Sequence, residues 1–126
     1  MGESDSIALV FAADGEVLRA HVSGPGTYPN MLRCWQDLAA ELRKRNPRGL
    51  LLVDETTGAA LTADEWKTLV EAMSDKGLER VRIAHVKPYG LQRIEYCELY
   101  AREAGLDARV FTNQVEASVW LRYGAT

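Results

Sequence analysis

Most of the residues and motifs that announce a chemistry are scarce or missing in this chain. Its 126 residues contain two cysteines, Cys34 and Cys97, and two histidines, His21 and His85. No CxxC, HExxH or Cys/His spacing occurs, so no structural zinc or redox pair is indicated, and both thiols read as reduced and behaving as small hydrophobes within helices. A basic excess is also missing. Fifteen Lys and Arg face eighteen Asp and Glu, a net charge of −3, which leaves no electrostatic footprint for nucleic acid and no attraction to anionic membranes. No apolar run approaches the roughly 20 residues that cross a bilayer. The acidic start Met1–Ser6 does not read as a signal peptide, so the expected location is the cytoplasm.

The motifs of catalysis are missing too. Neither GxxxxGK[ST] nor GxGxxG is present. The nearest approach, Gly24-Pro25-Gly26, follows a hairpin strand, and its proline removes an amide that a phosphate would use. No GxSxG elbow occurs. Asp54 and Glu55 are neighbours, but adjacent residues at a strand end point apart, so no pair of carboxylates converges. His21 and His85 fall on strands with no reason to meet. The expectation is therefore a protein without catalytic residues, metal or cofactor.

What is present is a set of periodic segments. Ile7–Ala13 is a short apolar run, Asp14-Gly15 is a tight-turn dipeptide, and Glu16–Ser23 alternates, which together read as an antiparallel hairpin. Leu18, Ala20 and Val22 share one face of it; Val17, Arg19 and His21 share the other. Pro29–Asn46 is helical, with Met31, Trp35, Leu38, Ala39 and Leu42 as its stripe and Arg43-Lys44-Arg45 in the last turn. Leu50–Asp54 is a continuous apolar run, the mark of a strand buried on both faces. A loop, Glu55–Leu61, leads to the capping box Thr62-Ala63-Asp64-Glu65 and a helix carrying Trp66, Leu69, Val70 and Met73, with Gly77 as its stop. Val81–Val86 is a strand, Tyr89–Ala104 a helix, and Leu106–Phe111 a last short strand. Asn113, with Glu116 three residues on, opens the closing helix.

The order β-β-α-β-α-β-α-β-α predicts one α/β domain over 1–126, ordered from about 6 to 122. Its five-stranded mixed sheet has only the first strand antiparallel, and each crossover is right-handed. Asp54 and Lys87-Pro88 invite comparison with a phosphoryl-accepting receiver domain. The acidic pair that would hold Mg²⁺ is missing, because the first strand ends in a hairpin rather than in a helix.

Two surfaces stand out. The loop after Asp54 carries Thr56, Thr57 and Thr62, and loops at the carboxyl ends of parallel strands are where α/β proteins place function. These four residues form the candidate switch or partner-binding loop, although Thr62 is also explained by helix capping alone. Tyr89, Tyr96, Leu99 and Tyr100 lie off the stripe of their helix and form the candidate interface, as in a homodimer. If helices cover one sheet face, Val17, Arg19, His21, Arg80 and Arg82 decorate the open one.

The hairpin, the Leu50–Asp54 strand, the loop and capped helix, and the ending Val110-Phe111-Thr112-Asn113-Gln114-Val115-Glu116-Ala117-Ser118-Val119-Trp120-Leu121 resemble the SpoIIAA-like branch of the STAS superfamily. The resemblance spans about Ile7 to Leu121 and is architectural, its motifs being diffuse. It implies a sheet whose strands follow chain order, with helices mainly on one face and no point where the connections reverse, hence no ready-made crevice. It implies a non-enzymatic anti-sigma-factor antagonist-like module that binds a protein partner and is switched by phosphorylation at the start of the helix after the third strand. In that region this sequence reads Gly58-Ala59-Ala60-Leu61-Thr62, without the D-S-[ST]-G stretch of the family, which leaves only Thr62 as a counterpart. The alternative is a carrier of a small apolar or lipid-like ligand, held near Trp35, Trp66 and Trp120.

Overall fold

The computed structural model describes residues 6–59, 61–88 and 95–124, with the backbone alone for 95–97. The opening hairpin pairs β1 (Ala8–Asp14) with β2 (Val17–Pro25), Ala8 lying opposite Ser23 and Asp14 opposite Val17. Gly15 takes φ 64°, the left-handed conformation that a two-residue Asp-Gly turn requires. α1 (Tyr28–Arg45) starts at Thr27, whose side chain accepts the Asn30 amide, and stops at Asn46, also left-handed at φ 53°. Its buried stripe is Met31, Cys34, Trp35, Leu38, Ala39 and Leu42.

β3 (Gly49–Thr57) runs three residues past the apolar stretch that announces it. Glu55, Thr56 and Thr57, expected in a loop, are strand residues paired with Ser23, Gly24 and Pro25. The reason is cooperative: β2 itself continues to Pro25, and its extra backbone groups find partners only if β3 continues beside them. Three of the four proposed loop residues, Asp54, Thr56 and Thr57, therefore lie in the sheet. α2 (Ala63–Ala72) opens on the expected capping box, with reciprocal bonds between Thr62 and Glu65. It ends before Gly77, which instead leads a single 3₁₀ turn, Leu78–Arg80. β4 (Arg82–Val86), α3 (Glu95–Glu103), β5 (Asp107–Phe111) and α4 (Gln114–Tyr123) complete the chain. Tyr89 lies outside the described residues, as does the side chain of Tyr96.

The sheet order is β1-β2-β3-β4-β5, with β1 antiparallel and every other pair parallel. Strands that advance in one direction with crossovers of one hand put all crossover helices on one face. Accordingly α1, α2 and α3 pack over Leu18, Ala20, Val22, Leu50, Leu52 and Ile83. α4 is not a crossover, so handedness does not constrain it. It covers the opposite face, where Ala117 and Trp120 pack on Leu51, Ala84 and Val86. That second face is thus not open, as the one-sided reading expects, but half covered. Arg19, on that face, bonds Gln114 at 2.6 Å, and Arg82 bonds the Trp120 carbonyl at 3.1 Å, so cations expected in solvent hold α4 in place. Arg80 belongs to the 3₁₀ turn rather than to the sheet. No helix among the described residues is long and apolar enough to cross a membrane.

Candidate functional site

The carboxyl ends of β3 and β4 carry alternate residues on the α1–α3 face: Asp54 and Thr56 on one strand, His85 and Lys87 in line with the other. A pleated strand sends every second side chain to the same side, so two Asp-x-Thr and His-x-Lys spacings on adjacent strands converge. Asp54 and His85 are both 2 % exposed, the only buried polar or charged side chains among the described residues. Asp54 Oδ2 meets His85 Nε2 at 2.7 Å. Its other oxygen accepts the Thr56 amide at 3.0 Å, the Thr56 hydroxyl at 2.5 Å and Lys87 Nζ at 3.2 Å. Lys87 also donates to the Thr56 carbonyl at 2.9 Å and hydroxyl at 3.1 Å.

Burial by itself would raise the Asp54 pKa. The hydrogen bond and charge of His85, the Thr56 hydroxyl and the charge of Lys87 outweigh it and hold the carboxyl well below the usual carboxylate range. An ionised carboxylate only accepts, so His85 Nε2 carries the proton and donates it. Gly26 closes the cluster from outside: a Cβ there would come within 2.9 Å of Thr56 Oγ1, and its amide donates to the Thr57 carbonyl at 2.8 Å. The nearby Cys34 thiol is pushed up to about 12 by burial, with the charges of Asp54 and Asp37 adding to the effect. It is therefore a protonated, unreactive core residue.

A carboxylate engaged by four donors and 2 % exposed is not presented to a substrate. The cluster is a clasp that ties β3 to β4. Among the described residues no group of three or more His, Cys, Asp or Glu is placed to hold a metal ion. His21 lies on the opposite face from His85 and bonds Glu55 on the neighbouring strand. A broader hollow of about 550 Å³ lies at the hairpin end beside Glu16, Arg45 and Arg48, but its arginines are paired, Arg45 with Glu41 and Arg48 with Glu16.

The second feature borders the first. Trp35 of α1 and Trp66 of α2 set their rings edge-on to His85, with centroids 5.9 and 6.2 Å away. Together they line an apolar cavity of about 30 Å³ closed by Leu69, Met73, Ile83 and residues of α3 and β5. Neither indole nitrogen has a hydrogen-bond partner among the described residues. Trp120, which sequence reasoning grouped with these two, is on the other side of the sheet. There it packs on Phe111 and lies 5.1 Å beneath the Arg82 guanidinium, drawn across by α4.

Of the proposed switch residues, Asp54 is inaccessible and Thr56 is inside the clasp. Thr57 is exposed and donates to the Gly24 carbonyl at 3.4 Å, and Thr62 is exposed at the start of α2. On α3, Leu99 is half exposed at 50 %, whereas Tyr100 packs against the main core. Sequence reasoning missed the Asp54–His85 pair because it assigned each residue to its own strand. The signal was the matched two-residue spacing to Thr56 and Lys87, which is read only once the two strands are known to be neighbours. No protein-family model matches the chain, and a search of the curated proteins finds no match.

Proposed function

We propose that this chain is a non-enzymatic regulatory module of the STAS-like kind that binds a protein partner through the side of the sheet carrying α4. One observation carries the reading. Among the described residues five large hydrophobic side chains are exposed by half or more, and four belong to that side: Val10 at 63 %, Val115 at 71 %, Val119 at 51 % and Tyr123 at 79 %. Val115 and Val119 are one turn apart on α4, opposite the Ala117 and Trp120 stripe that grips the sheet. Apolar side chains gathered on one side of a small domain mark a contact surface more often than a solvated one. The engagement of Asp54 by four donors supports the non-enzymatic part, since the only buried acid among the described residues is taken up by structure.

The threonine switch draws less support. Thr62 is exposed, as modification requires, but its oxygen caps α2, and Asp64 and Glu65 already occupy the first turn. A phosphate there would meet two like charges and displace the capping bond. The expected result of affinity capture is that Val115→Glu/Val119→Glu, folded as judged by its thermal melt, loses the proteins recovered by wild type, while Thr62→Glu retains them. Equal recovery by the α4 variant would remove this surface from consideration.

A second reading, a carrier for a small apolar molecule, is favoured by the cavity that Trp35 and Trp66 share beside His85.

A further inference from the structure

An open sheet has two edge strands, and each presents a row of backbone donors and acceptors to be paired, covered or left to water. Here the edges are β5 and β1, and they are finished differently. On β5 the Phe111 carbonyl accepts the Lys87 amide, so Ala108 and Val110 are the residues whose backbone groups point outward. α3 closes both. Glu98 accepts the Val110 amide at 2.8 Å, and Arg102 donates to the Ala108 carbonyl at 3.2 Å. The strand also carries the charges of Asp107 and Arg109. α3, expected from its sequence to make a homodimer contact, thus seals an edge instead.

β1 has none of these guards. The two-residue turn makes Asp14 and Val17 a hydrogen-bonded pair, and such pairs recur at every second residue. Leu9, Phe11 and Ala13 therefore turn their amides and carbonyls away from β2. Among the described residues no side chain or loop bonds them. From Ala8 to Ala13 the strand holds no charge and no proline, and no bulge interrupts its pairing with β2. Val10 is 63 % exposed on one face, while Leu9 and Phe11 on the other are only half-buried against the main core. An apolar, uncharged, unbulged edge is a template for another strand.

We propose that β1 is the seam of a homodimer, two copies pairing this strand antiparallel across a two-fold axis at Val10. That centre matches Leu9 with the copy's Phe11 and Ala13 with its Ile7, so the outward groups satisfy one another. It sets the two Val10 side chains opposite each other at a non-hydrogen-bonded position, where Cα atoms approach to about 4.5 Å. No like charges meet, because Asp14 falls opposite Ser6. The occupant is one further copy because the pairing closes on itself. Joining the two β1 strands leaves β5 at both ends of the continuous sheet, and Glu98 and Arg102 seal both of those edges. The seam goes beyond the α4 contact and leaves Val115, Val119 and Tyr123 to it.

Sedimentation equilibrium of the full chain, from micromolar to millimolar concentration, is expected to give twice the 14.0 kDa of one chain. Val10→Lys and Val10→Glu each set like charges on the axis. Each should keep the wild-type circular dichroism, since the side chain is exposed, and weaken association more than ten-fold. An equimolar mixture of the two should restore the dimer, because unlike charges then meet. Val10→Cys in a Cys97→Ser background should form a disulfide-linked dimer with oxidised glutathione, whereas Ala12→Cys, two residues off the axis, should not. Val115→Glu/Val119→Glu should remain dimeric, so the seam and the α4 contact fail separately. A chain still monomeric at millimolar concentration, or association continuing past the dimer, would overturn the proposal. So would a dimer that both charge variants leave intact, a mixture that does not reassemble, or equal disulfide yields from the two cysteine variants.

Discussion

Asp54→Ala provides a direct test of the clasp. The substitution removes the acceptor of His85, Thr56 and Lys87 at a point where the side chain is 2 % exposed, so water cannot replace it. Breaking a buried charge pair by deleting one partner costs about 3–5 kcal/mol, because the other partner is left uncompensated. Against a total stability of about 5–15 kcal/mol for a domain of this size, that is a large share. At roughly 3–4 °C per kcal/mol it lowers the melting temperature by about 10–20 °C. Asp54→Asn keeps the shape and one acceptor oxygen. His85 adapts by exchanging tautomers, so that its Nε2 accepts from the amide, and the cost falls to about 1–2 kcal/mol. Replacing the whole cluster, as Asp54→Leu/His85→Phe/Lys87→Met, removes charge and need together and is expected within about 2 kcal/mol of wild type. Urea unfolding of the four proteins measures the order.

The pH dependence supplies a second readout with a definite sign. The folded-state pKa of Asp54 lies below its ordinary value of 3.8, so the folded protein binds the proton less readily than the unfolded chain. The stability this group contributes is complete above about pH 5 and is lost as pH falls below 4 towards the folded value. Wild type is therefore expected to lose stability more steeply than Asp54→Asn between pH 4 and 2.5. An Asp54→Ala protein within 1 kcal/mol of wild type, or acid limbs of equal slope, would refute the clasp.

Other perturbations have simpler outcomes. Thr62→Ala removes one half of the capping box and is expected to cost about 1 kcal/mol in urea unfolding, with Thr62→Asp restoring most of it. In a Cys97→Ser background, Cys34, whose pKa is pushed up to about 12, should react with a disulfide reagent at pH 8 only at the rate of opening of the fold, and stoichiometrically in denaturant. Gly26→Ala sets a Cβ 2.9 Å from Thr56 Oγ1 and 3.0 Å from its Cβ, so it should destabilise by about 1–3 kcal/mol in urea unfolding. Arg82→Ala loses its contacts with Trp120 and Asp107 at a partly exposed site; a cost of about 1 kcal/mol and a change in Trp120 fluorescence are expected.

Periodicity and turn chemistry in the chain determine its elements. The Asp-Gly turn, the Thr62 capping box and the Asn113 cap each act through bonds formed within a few residues, so their positions are legible without the fold. Strand order is a further step: crossovers of one hand fix the side each helix takes once the order is known, and the order β1 to β5 is what the family resemblance implies rather than what the elements dictate. The apolar run Leu50–Val53 even announces a strand covered on both faces, which a one-sided layer of helices contradicts. Which element supplies the second cover was not legible. α4 is free of the crossover rule, and its side is chosen by the apolar surface left at Leu51, Ala84 and Val86, residues separated by more than thirty positions in the chain. The same long-range pairing places Asp54 beside His85, extends β3 through Thr57, and parts Trp120 from Trp35 and Trp66. Local bonding is written residue by residue; which side chains meet depends on register and on the face of the sheet, and those exist only when the strands lie side by side.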